Sequence, residues 1–235
     1  MVKRVCEMLF SALALTLAAP MLCVAMVAIW AQDGGSPLYL ATRVGRDGRD
    51  FRMVKLRSMT PDAERRGGVS TARSDVRITP LGKILRRSKL DEVPQFWNVL
   101  VGEMSLVGPR PNVRQGGVDR YTAEELRLLS VRPGVTDLAS IVFSDEADIL
   151  DGASDPHARY DSVIRPWKSR LGLMYVARHG VTTDLRIVWL TALAMVAKQS
   201  ALRGVDTLLV EWCADEGLRR ICRRDAPPPA GEPPA

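Results

Sequence analysis

The longest feature in the hydrophobic pattern is an uncharged run of 24 residues, Met8–Ala31, near the N-terminus. At 1.5 Å per residue it makes a helix of about 36 Å, enough to cross the hydrocarbon core of a bilayer. The apolar stretch of a cleaved signal peptide is usually shorter. The pattern therefore predicts a membrane helix, either one that spans the bilayer or one that bends and returns.

Two features of this helix bear on that choice. Pro20 lies at the centre of the run, where it removes a helical hydrogen bond and introduces a kink. Basic residues flank both ends, with Lys3 and Arg4 before the run and Arg43 and Arg46 after it. Flanks that are basic on both sides fit a re-entrant segment on the cytoplasmic face. Taken by themselves, these residues leave the spanning and re-entrant alternatives equally open.

After the apolar run, two β-rich stretches, Leu38–Val44 and Phe51–Arg57, flank Gly45–Arg49. The Asp47-Gly48 pair within this connection is a hairpin signal. The polar stretch Thr60–Ser74 predicts a loop. A small β-hairpin is therefore expected between the membrane helix and the rest of the chain.

Helical periodicity follows in several segments. Ile84–Arg87 and Val93–Met104 are predicted helices, and the second has apolar residues at the spacing of a buried face. These apolar residues are Val93, Phe96, Trp97, Leu100, Val101 and Met104. Ala123–Leu129 is amphipathic, and His157–Arg178 is helical in pattern, with Pro166 breaking or bending it.

The remaining segments complete a fold of the α/β (α+β) class that is mostly helical. Leu138–Phe143 is a candidate strand. The uncharged run Ile187–Ala197 is too short to span, and fits an amphipathic helix at the interface with Trp189 and Leu190 in lipid, or a buried core helix. The predicted regions are an anchor at 1–36, a main domain at 37–200, a helical extension at 201–225 and a disordered Pro-rich tail at 226–235.

Charge changes this picture by pointing to an anionic partner. The chain of 235 residues has a net charge of +6. Between Leu40 and Leu90 there are 14 Lys or Arg and 5 Asp or Glu. Nucleic acid, phospholipid headgroups or a phosphorylated substrate would all fit this surplus. Four Cys without a CxxC motif and two His support neither a disulfide framework nor a zinc site.

The densest group of reactive residue types is Arg86–Pro94. Because Pro94 is tolerated in the first helical turn, a helix should begin near Asp91, with Asp91 as its N-cap. The helix dipole and the nearby cations favour ionised Asp91 and Glu92. An ionised Asp is a competent nucleophile toward phosphorus, and the adjacent carboxylate can help to hold Mg²⁺. Simple capping explains the same pattern.

Five motifs in a fixed order carry a resemblance to a known family. They are Lys55–Met59 (KLRSM), Arg77–Gly82 (RITPLG), Lys89–Leu100 (KLDEVPQFWNVL), Met104–Pro111 (MSLVGPRP) and Arg132–Thr136 (RPGVT). Together they closely resemble the bacterial sugar transferases, the monotopic polyprenyl-phosphate phosphoglycosyl transferases that begin glycoconjugate synthesis. The resemblance covers roughly Pro37 to Thr191. The re-entrant membrane helix of that family would match the apolar run, with the kink at Pro20.

The resemblance implies a reaction and residues to carry it. Members of the family move a sugar phosphate from a UDP-sugar to undecaprenyl phosphate and release UMP, by way of a covalent intermediate. Asp91 matches the nucleophile, which attacks the β-phosphate, and Glu92 matches the partner carboxylate that helps to bind Mg²⁺. The residues that would bind phosphates of the nucleotide or the lipid are Lys55, Arg57, Arg86, Arg110 and Arg132.

The resemblance also implies a location and partners. The region 37–200 would be the catalytic domain and would face the cytoplasm on the bacterial inner membrane. It would act in exopolysaccharide, O-antigen (lipopolysaccharide) or other glycoconjugate synthesis, and a homodimer is left open. Asp137 stands where Gly is usual, which leaves the sugar open. The alternative function is a non-enzymatic, membrane-tethered basic module for nucleic acid or acidic lipid. An aromatic content of 6% and the lack of a recognisable recognition motif argue against nucleic acid.

Overall fold

The computed structural model describes residues 2–63, 72, 74–224, 227–232 and 234, and this part of the chain is mostly helical. The α-helices are α1 Val2–Asp33, α2 Pro80–Arg87, α3 Gln95–Val101, α4 Leu138–Val142, α5 Glu146–Ile149, α6 Pro156–Arg159, α7 Arg165–Arg178, α8 Val181–Val196, α9 Lys198–Glu211 and α10 Glu216–Arg223. The strands are β1 Leu38–Val44, β2 Asp50–Leu56, β3 Ser105–Val107 and β4 Gly134–Thr136. The predicted mostly helical fold with a small β-hairpin is confirmed.

β1 and β2 form the hairpin that the Asp47-Gly48 pair predicts. The two strands pair antiparallel along their whole length. Both turn residues have positive φ, 57° at Asp47 and 72° at Gly48. Gly adopts this conformation freely and Asp tolerates it, so the local sequence alone is enough to specify the turn. β2 ends at Leu56, which places Lys55 beside the segment that follows α2.

α1 is a continuous helix of 32 residues with Pro20 inside it. Among the described residues it is the one helix that is long and apolar enough to cross a membrane by length and composition. One face carries a row of exposed apolar side chains. This row includes Leu13, Leu17, Met21, Val24 and Val27. An exposed apolar row of this length is typical of a helix in contact with lipid.

The opposite face of α1 packs on the rest of the chain near both ends. Near its start, the buried Glu7 carboxylate accepts hydrogen bonds from the Ser105 hydroxyl and, at 3.3 Å, from the Leu106 N–H. Near its end, Leu22 and Ile29 pack with apolar residues of β2, α2 and the segment that follows α2. The helix therefore lies along the body of the protein rather than projecting from it.

The largest hydrophobic core lies among α4, α7, α8, α9 and α10. Val142, Leu171, Ile187, Leu202 and Leu209 are among its fully buried members. β3 and β4 pair in parallel beside this core. This pairing brings the loop that follows β3 next to the start of α4, which matters for the site described below.

The predicted strand Leu138–Phe143 is wrong, because most of this segment forms the short helix α4. The Asp137 carboxylate accepts a hydrogen bond from the Ser140 N–H at 2.6 Å, and the Ser140 hydroxyl accepts one from the Asp137 N–H at 3.1 Å. This reciprocal pair is a capping box, which starts a helix. The capping residues outweigh the β-propensity of the apolar residues between them.

α3 is shorter than the predicted helix Val93–Met104, and its predicted buried face is partly wrong. Trp97 and Val101 are 55% and 51% exposed. The residues that face inward are Gln95, Asn98 and Val99. Asn98 explains this orientation, because its amide donates to the Arg52 carbonyl at 2.7 Å and accepts from the Val54 N–H at 2.9 Å. Hydrogen bonding to β2 turns the helix away from the orientation that its apolar residues predict.

The run Ile187–Ala197 belongs mostly to α8, which begins at Val181. Leu190 was predicted in lipid but is 7% exposed and packs in the main core, whereas Trp189 is 68% exposed. One face of the helix therefore belongs to the core and another is apolar and exposed. Each of the two sequence alternatives describes one face of the same helix.

Ala123–Leu129 overlaps a 3₁₀ helix, Glu125–Ser130. The predicted helix His157–Arg178 is present, and a π-helical turn, Tyr160–Ile164, interrupts it just before Pro166. The predicted boundary at residue 200 falls inside α9, which is part of the main core. Most of the predicted loop Thr60–Ser74 lies outside the described residues.

Described residues of the predicted disordered tail lie against α7 and the π-helical turn. The Trp167 indole N–H donates to the Pro229 carbonyl at 3.1 Å, and the Gly231 N–H donates to the Ser162 carbonyl at 2.9 Å. Backbone groups of a proline-rich segment are free to make such contacts because the segment forms no internal ladder of hydrogen bonds.

Candidate active site

The residues expected to carry the chemistry lie on a short turn between α2 and α3. Lys89 has a left-handed φ of 58°, and Leu90–Glu92 form a single 3₁₀ turn. α3 begins only at Gln95, so the predicted role of Asp91 as a helix N-cap is wrong. Buried Leu90 packs in the same apolar cluster as Leu22 of α1. The turn is therefore packed directly against α1.

Glu92 lies at the centre of a charged group formed by three separate parts of the chain. Its Oε1 atom is 3.2 Å from the Lys55 ammonium on β2, and it also accepts a hydrogen bond from the Arg110 guanidinium on the loop after β3. Burial alone would raise the pKa of Glu92, but the charges of Arg110 and Lys55 outweigh it and hold that pKa well below its usual range. Glu92 is thus a fixed anion, as the sequence predicts.

Asp91 has a different environment although it is the adjacent residue. It is 7% exposed, and its Oδ1 atom is buried with no hydrogen-bond partner among the described residues. Burial and the neighbouring charge of Glu92 raise the pKa of Asp91, and the opposing charges of Lys55 and Arg86 do not cancel this effect. The predicted preference for ionisation therefore applies to Glu92 and not to Asp91.

Lys55 is the cation of this group that loses its charge most easily, because a guanidinium stays protonated. Burial, followed by the charge of Arg110, lowers the pKa of Lys55 to about 8 although Glu92 and Asp91 act in the opposite direction. A lysine of this kind changes charge close to physiological pH. The strength of the cationic environment around the carboxylates therefore depends on pH.

The loop Gly108–Pro111 positions Arg110 because its backbone approaches β4 very closely. A Cβ on Gly108 would lie 2.3 Å from the Arg132 carbonyl, and one on Gly134 would lie 2.1 Å from the Gly108 nitrogen. Only glycine fits at either position. The Arg110 N–H donates to the Asp137 carboxylate at 3.3 Å, and the charge of Glu92 raises the pKa of Arg110.

Arg86 is also brought to the carboxylates. It lies on α2, its Nε donates to the Ser58 hydroxyl at 2.9 Å, and the charges of Asp91 and Glu92 act on it. Burial lowers its pKa, but a guanidinium remains charged. The structure therefore joins Lys55, Arg86 and Arg110 around the carboxylate pair.

Arg57 and Arg132 have other hydrogen-bond partners. Arg57 binds the end of α1, through the Asp33 carboxylate and the Ile29 carbonyl. Arg132 is exposed, and its Nε donates at 2.9 Å to the Gly102 carbonyl just after α3. Their predicted role as phosphate ligands stays a prediction.

Several polar residues near this site had no distinct sequence signal. The charges of Asp137 and Glu146 act on Arg110. Lys168 forms an ion pair with Glu146 and lies 5.4 Å from the centre of the Tyr160 ring. These residues come from segments that are distant in the chain, so no local pattern could have gathered them. Gln95 falls within a recognisable motif, but nothing in its spacing indicates a function.

The carboxylate pair fits one kind of metal ion. Mg²⁺ is usually bound by one or two carboxylates together with substrate phosphates. Asp91 and Glu92 supply two carboxylates on one turn, and Asp91 Oδ1 has no partner in the described chain. No cluster of three or more His, Cys, Asp or Glu is found among the described residues. The donors present fit Mg²⁺ shared with a diphosphate rather than a closed protein cage.

Fold and site together define a protein with a membrane-type helix and a buried carboxylate pair surrounded by cations. A family model described as bacterial sugar transferase matches residues 1–198. The match covers most of the chain, so the protein belongs to the bacterial sugar transferase family.

Curated relatives carry names that describe sugar-phosphate transfer to undecaprenyl phosphate. A UDP-N-acetylgalactosamine-undecaprenyl-phosphate N-acetylgalactosaminephosphotransferase of Aeromonas hydrophila is 38% identical over 64% of this chain and 36% of its own length. UDP-glucose:undecaprenyl-phosphate glucose-1-phosphate transferases are similar too. That of Klebsiella pneumoniae is 33% identical over 85% of this chain and 41% of its own length. That of Caulobacter vibrioides is 40% identical over 59% of this chain and 53% of its own length. The chain thus spans about a third to a half of these relatives, whose names differ in the sugar.

Proposed function

We propose that the protein transfers a sugar 1-phosphate from a UDP-sugar to undecaprenyl phosphate, releasing UMP and forming a polyprenyl-diphosphate sugar. The observation that carries the proposal is the carboxylate pair: Glu92 is held between Lys55 and Arg110, and Asp91 beside it has an unpartnered buried oxygen. The named activities of the relatives support the same reaction. Its product would begin an exopolysaccharide, lipopolysaccharide or other glycoconjugate.

The reaction consists of two displacements at phosphorus. The Asp91 carboxylate attacks the β-phosphorus of the UDP-sugar, and a bond from its oxygen to phosphorus forms. The bond from phosphorus to the oxygen shared with the α-phosphate breaks, and its electron pair leaves with UMP. An oxygen of undecaprenyl phosphate then attacks the same phosphorus, and Asp91 departs as a carboxylate. The covalent intermediate divides one difficult transfer into two easier ones.

The surrounding residues have complementary tasks. Arg110, Arg86 and Lys55 offset the negative charge of the diphosphate and of the departing UMP, and in a buried site such fixed charges act strongly. Glu92 keeps Lys55 and Arg110 in place through its Oε1 atom. Asp91 and Glu92 would hold Mg²⁺ together with the diphosphate, where the ion would neutralise charge on the phosphate oxygens.

The packing of α1 supports the re-entrant placement of the membrane helix. A straight helix of 32 residues is about 48 Å long, more than the thickness of a hydrocarbon core. Residues near both of its ends contact the same folded body. If that body lies on the cytoplasmic face of the inner membrane, both ends of α1 lie on that face. A re-entrant placement requires a bend in α1, and Pro20 near its centre removes a helical hydrogen bond where such a bend would form.

UMP release separates this function from the alternative of a basic module that only binds lipid or nucleic acid. The test uses the full chain in lipid nanodiscs with undecaprenyl phosphate, Mg²⁺ and a panel of UDP-glucose, UDP-galactose and UDP-N-acetylgalactosamine. We expect UMP release with at least one sugar, its loss in Asp91→Asn, and its loss on chelation of Mg²⁺. Glu211→Gln, an exposed carboxylate paired with Arg186, is the matched control that should remain active. The absence of UMP release with every sugar would contradict the proposal.

A further inference from the structure

Gln95 is a buried amide whose donor has no partner. It lies in the first turn of α3, four residues after Asp91, and is 1% exposed. Its Nε2 atom has no hydrogen-bond acceptor among the described residues. Leaving a buried polar group unpaired is unfavourable, and native proteins leave few such groups. This amide therefore requires an explanation.

Asn98, one turn further along the same helix, shows what a structural amide looks like here. It too is 1% exposed, but its amide donates at 2.7 Å to both the Arg52 carbonyl and the Glu103 carboxylate. Its oxygen accepts from the Val54 N–H at 2.9 Å. The helix can thus satisfy a buried amide fully where the role is packing, and at Gln95 it does not.

A second unpaired atom points to the missing partner. Asp91 Oδ1 is likewise buried without a hydrogen-bond partner in the described part of the chain, and the two residues do not bond each other. Asp91 lacks a group that binds its oxygen, and Gln95 lacks an acceptor for its N–H. A phosphoryl group attached to Asp91 supplies both, because its phosphorus bonds the carboxylate oxygen and its other oxygens accept hydrogen bonds.

We infer that Gln95 contacts the transferred phosphoryl group, donating a hydrogen bond from Nε2 to a non-bridging oxygen while Asp91 carries the phosphosugar. The inference rests on the proposed function and adds a substrate-contacting residue to it. The bonds made and broken are those of the two displacements described above, and Gln95 exchanges no proton in either. A neutral amide suits this position because a cation there would form an ion pair with Asp91 and weaken it as a nucleophile.

The test replaces Gln95 by residues that lack the donor. Gln95→Met keeps the approximate volume and removes both polar atoms. We expect kcat for UMP release to fall about 100-fold, the range found for loss of one donor to a developing charge, with KM for the UDP-sugar changed less than about threefold. The thermal midpoint should not fall, because an unpaired donor is removed. Asn98→Leu is the matched comparison and should lower that midpoint, since three hydrogen bonds are lost.

Gln95→Glu keeps the test decisive if the Met variant is unstable. The ionised carboxyl would repel the phosphoryl group at pH 8, whereas its protonated form at lower pH regains an O–H donor. We expect the rate relative to wild type to recover at least tenfold as the pH is lowered from 8 to 5.5. Wild-type kcat in Gln95→Met would overturn the inference. The inference would also be overturned if the activity of Gln95→Met falls only as much as its folded fraction and Gln95→Glu shows no recovery at low pH. In both cases the proposed function is still supported if the wild type is active and Asp91→Asn is inactive. An inactive wild type would contradict the proposed function itself.

Discussion

Two buried polar groups of this protein are built in different ways. The anchor latch attaches the start of α1 to the body and consists of Lys3, Glu7, Ser105, Tyr175 and Asp184. The reaction cluster consists of Lys55, Asp91, Glu92, Gln95 and Arg110. Both bury charge, and both join segments that are far apart in the chain. They differ in whether the protein itself provides the partners.

The anchor latch joins charges and donors of the protein to one another. The Tyr175 hydroxyl donates to Asp184 at 2.7 Å, and the Lys3 ammonium lies 2.6 Å from the same carboxylate. Ser105 donates to Glu7. Burial and the charge of Asp184 raise the pKa of Tyr175, so its hydroxyl stays a donor at any physiological pH. The anchor latch is therefore a structural device.

The reaction cluster leaves one donor and one acceptor unmatched, on Gln95 and Asp91. The difference teaches where to look for function in a buried polar group. In the anchor latch, Asp184 Oδ2 has no hydrogen-bond partner but lies 2.6 Å from the Lys3 ammonium, so an ion pair of the protein itself balances it. The unmatched atoms of Asp91 and Gln95 have no such partner among the described residues, and this is the pattern that we expect where a ligand binds. The following predictions test this distinction.

Apart from Asp91→Asn, the largest effect should come from Glu92→Gln. The change leaves the partly buried cations Lys55 and Arg110 without their carboxylate. We therefore expect a loss of about 2 kcal/mol in the free energy of unfolding, less than for a fully buried pair, and a loss of about 1,000-fold in UMP release. Because the folded pKa of Glu92 is lowered, its stabilisation is present above its unfolded pKa of 4.5 and declines as the pH falls below that value. Urea unfolding at pH 7 and pH 4 measures the loss of stability and its pH dependence, and a UMP-release assay measures the loss of activity. An active, equally stable variant would remove Glu92 from the cluster.

Lys55 should limit the reaction at high pH. Its pKa of about 8 means that it loses its charge above that pH, and kcat/KM should then decline by up to about tenfold per pH unit. In Lys55→Arg the charge persists, so this alkaline limb should disappear. Deprotonation does not itself destabilise the fold: the folded pKa lies below the unfolded 10.5, so this group's contribution to stability rises between pH 8 and 10.5. An unchanged pH profile in Lys55→Arg would assign the limb to another group.

A smaller effect is expected from Asp184→Asn in the anchor latch. The amide oxygen can still accept from Tyr175, but the ion pair with the partly exposed Lys3 is lost. We expect about 1 kcal/mol less stability and normal UMP release per folded molecule. Urea unfolding and turnover of the purified variant measure the two effects. A 100-fold loss of turnover in a folded protein would show that the latch takes part in the reaction.

The latch also predicts which side of the membrane the start of α1 occupies. Single cysteines at the exposed positions 2 and 46, in a background where the exposed Cys6, Cys23 and Cys213 are changed to Ser, should both resist an impermeant maleimide in intact cells. Permeabilised cells provide the positive control. Labelling of either position from outside would contradict the re-entrant placement.

The smallest effect is expected at Arg132. Its guanidinium is exposed and bonds the Gly102 carbonyl, so Arg132→Gln should change kcat/KM by less than about threefold. Arg110→Gln, which removes a partner of Glu92, should reduce it by about 100-fold. Steady-state kinetics with each substrate varied in turn measures both. A large increase in KM for either substrate in Arg132→Gln would restore its predicted role as a phosphate ligand.

Local sequence was sufficient for some elements and not for others. The hairpin follows from Asp47-Gly48 because the two positive-φ residues that shape the short connection Gly45–Arg49 are adjacent in the sequence. The face of α3 was mispredicted because Asn98 bonds to β2, a contact between segments more than 40 residues apart. The helix α4 was mispredicted as a strand because the capping pair of Asp137 and Ser140 outweighs an apolar pattern that fits both structures.

The candidate site shows the same limit. The carboxylate pair stands out in the sequence because Pro94, the cations and the motif order surround it. Arg57 and Arg132 bond instead to Asp33 and to the Gly102 carbonyl, and no local pattern connects these partners to them. The unpaired atoms of Asp91 and Gln95 are a property of packing, so only three-dimensional structure reveals them.

The most direct test of the central claim is the intact mass of the protein after incubation with a UDP-sugar and Mg²⁺ in the absence of undecaprenyl phosphate. We expect the mass to rise by one sugar phosphate, with one UMP released per protein, and peptide mapping to place the addition on Asp91. Adding undecaprenyl phosphate should remove it. An unchanged mass in protein that turns over normally once the acceptor is added, or an addition that persists in Asp91→Asn, would contradict the account.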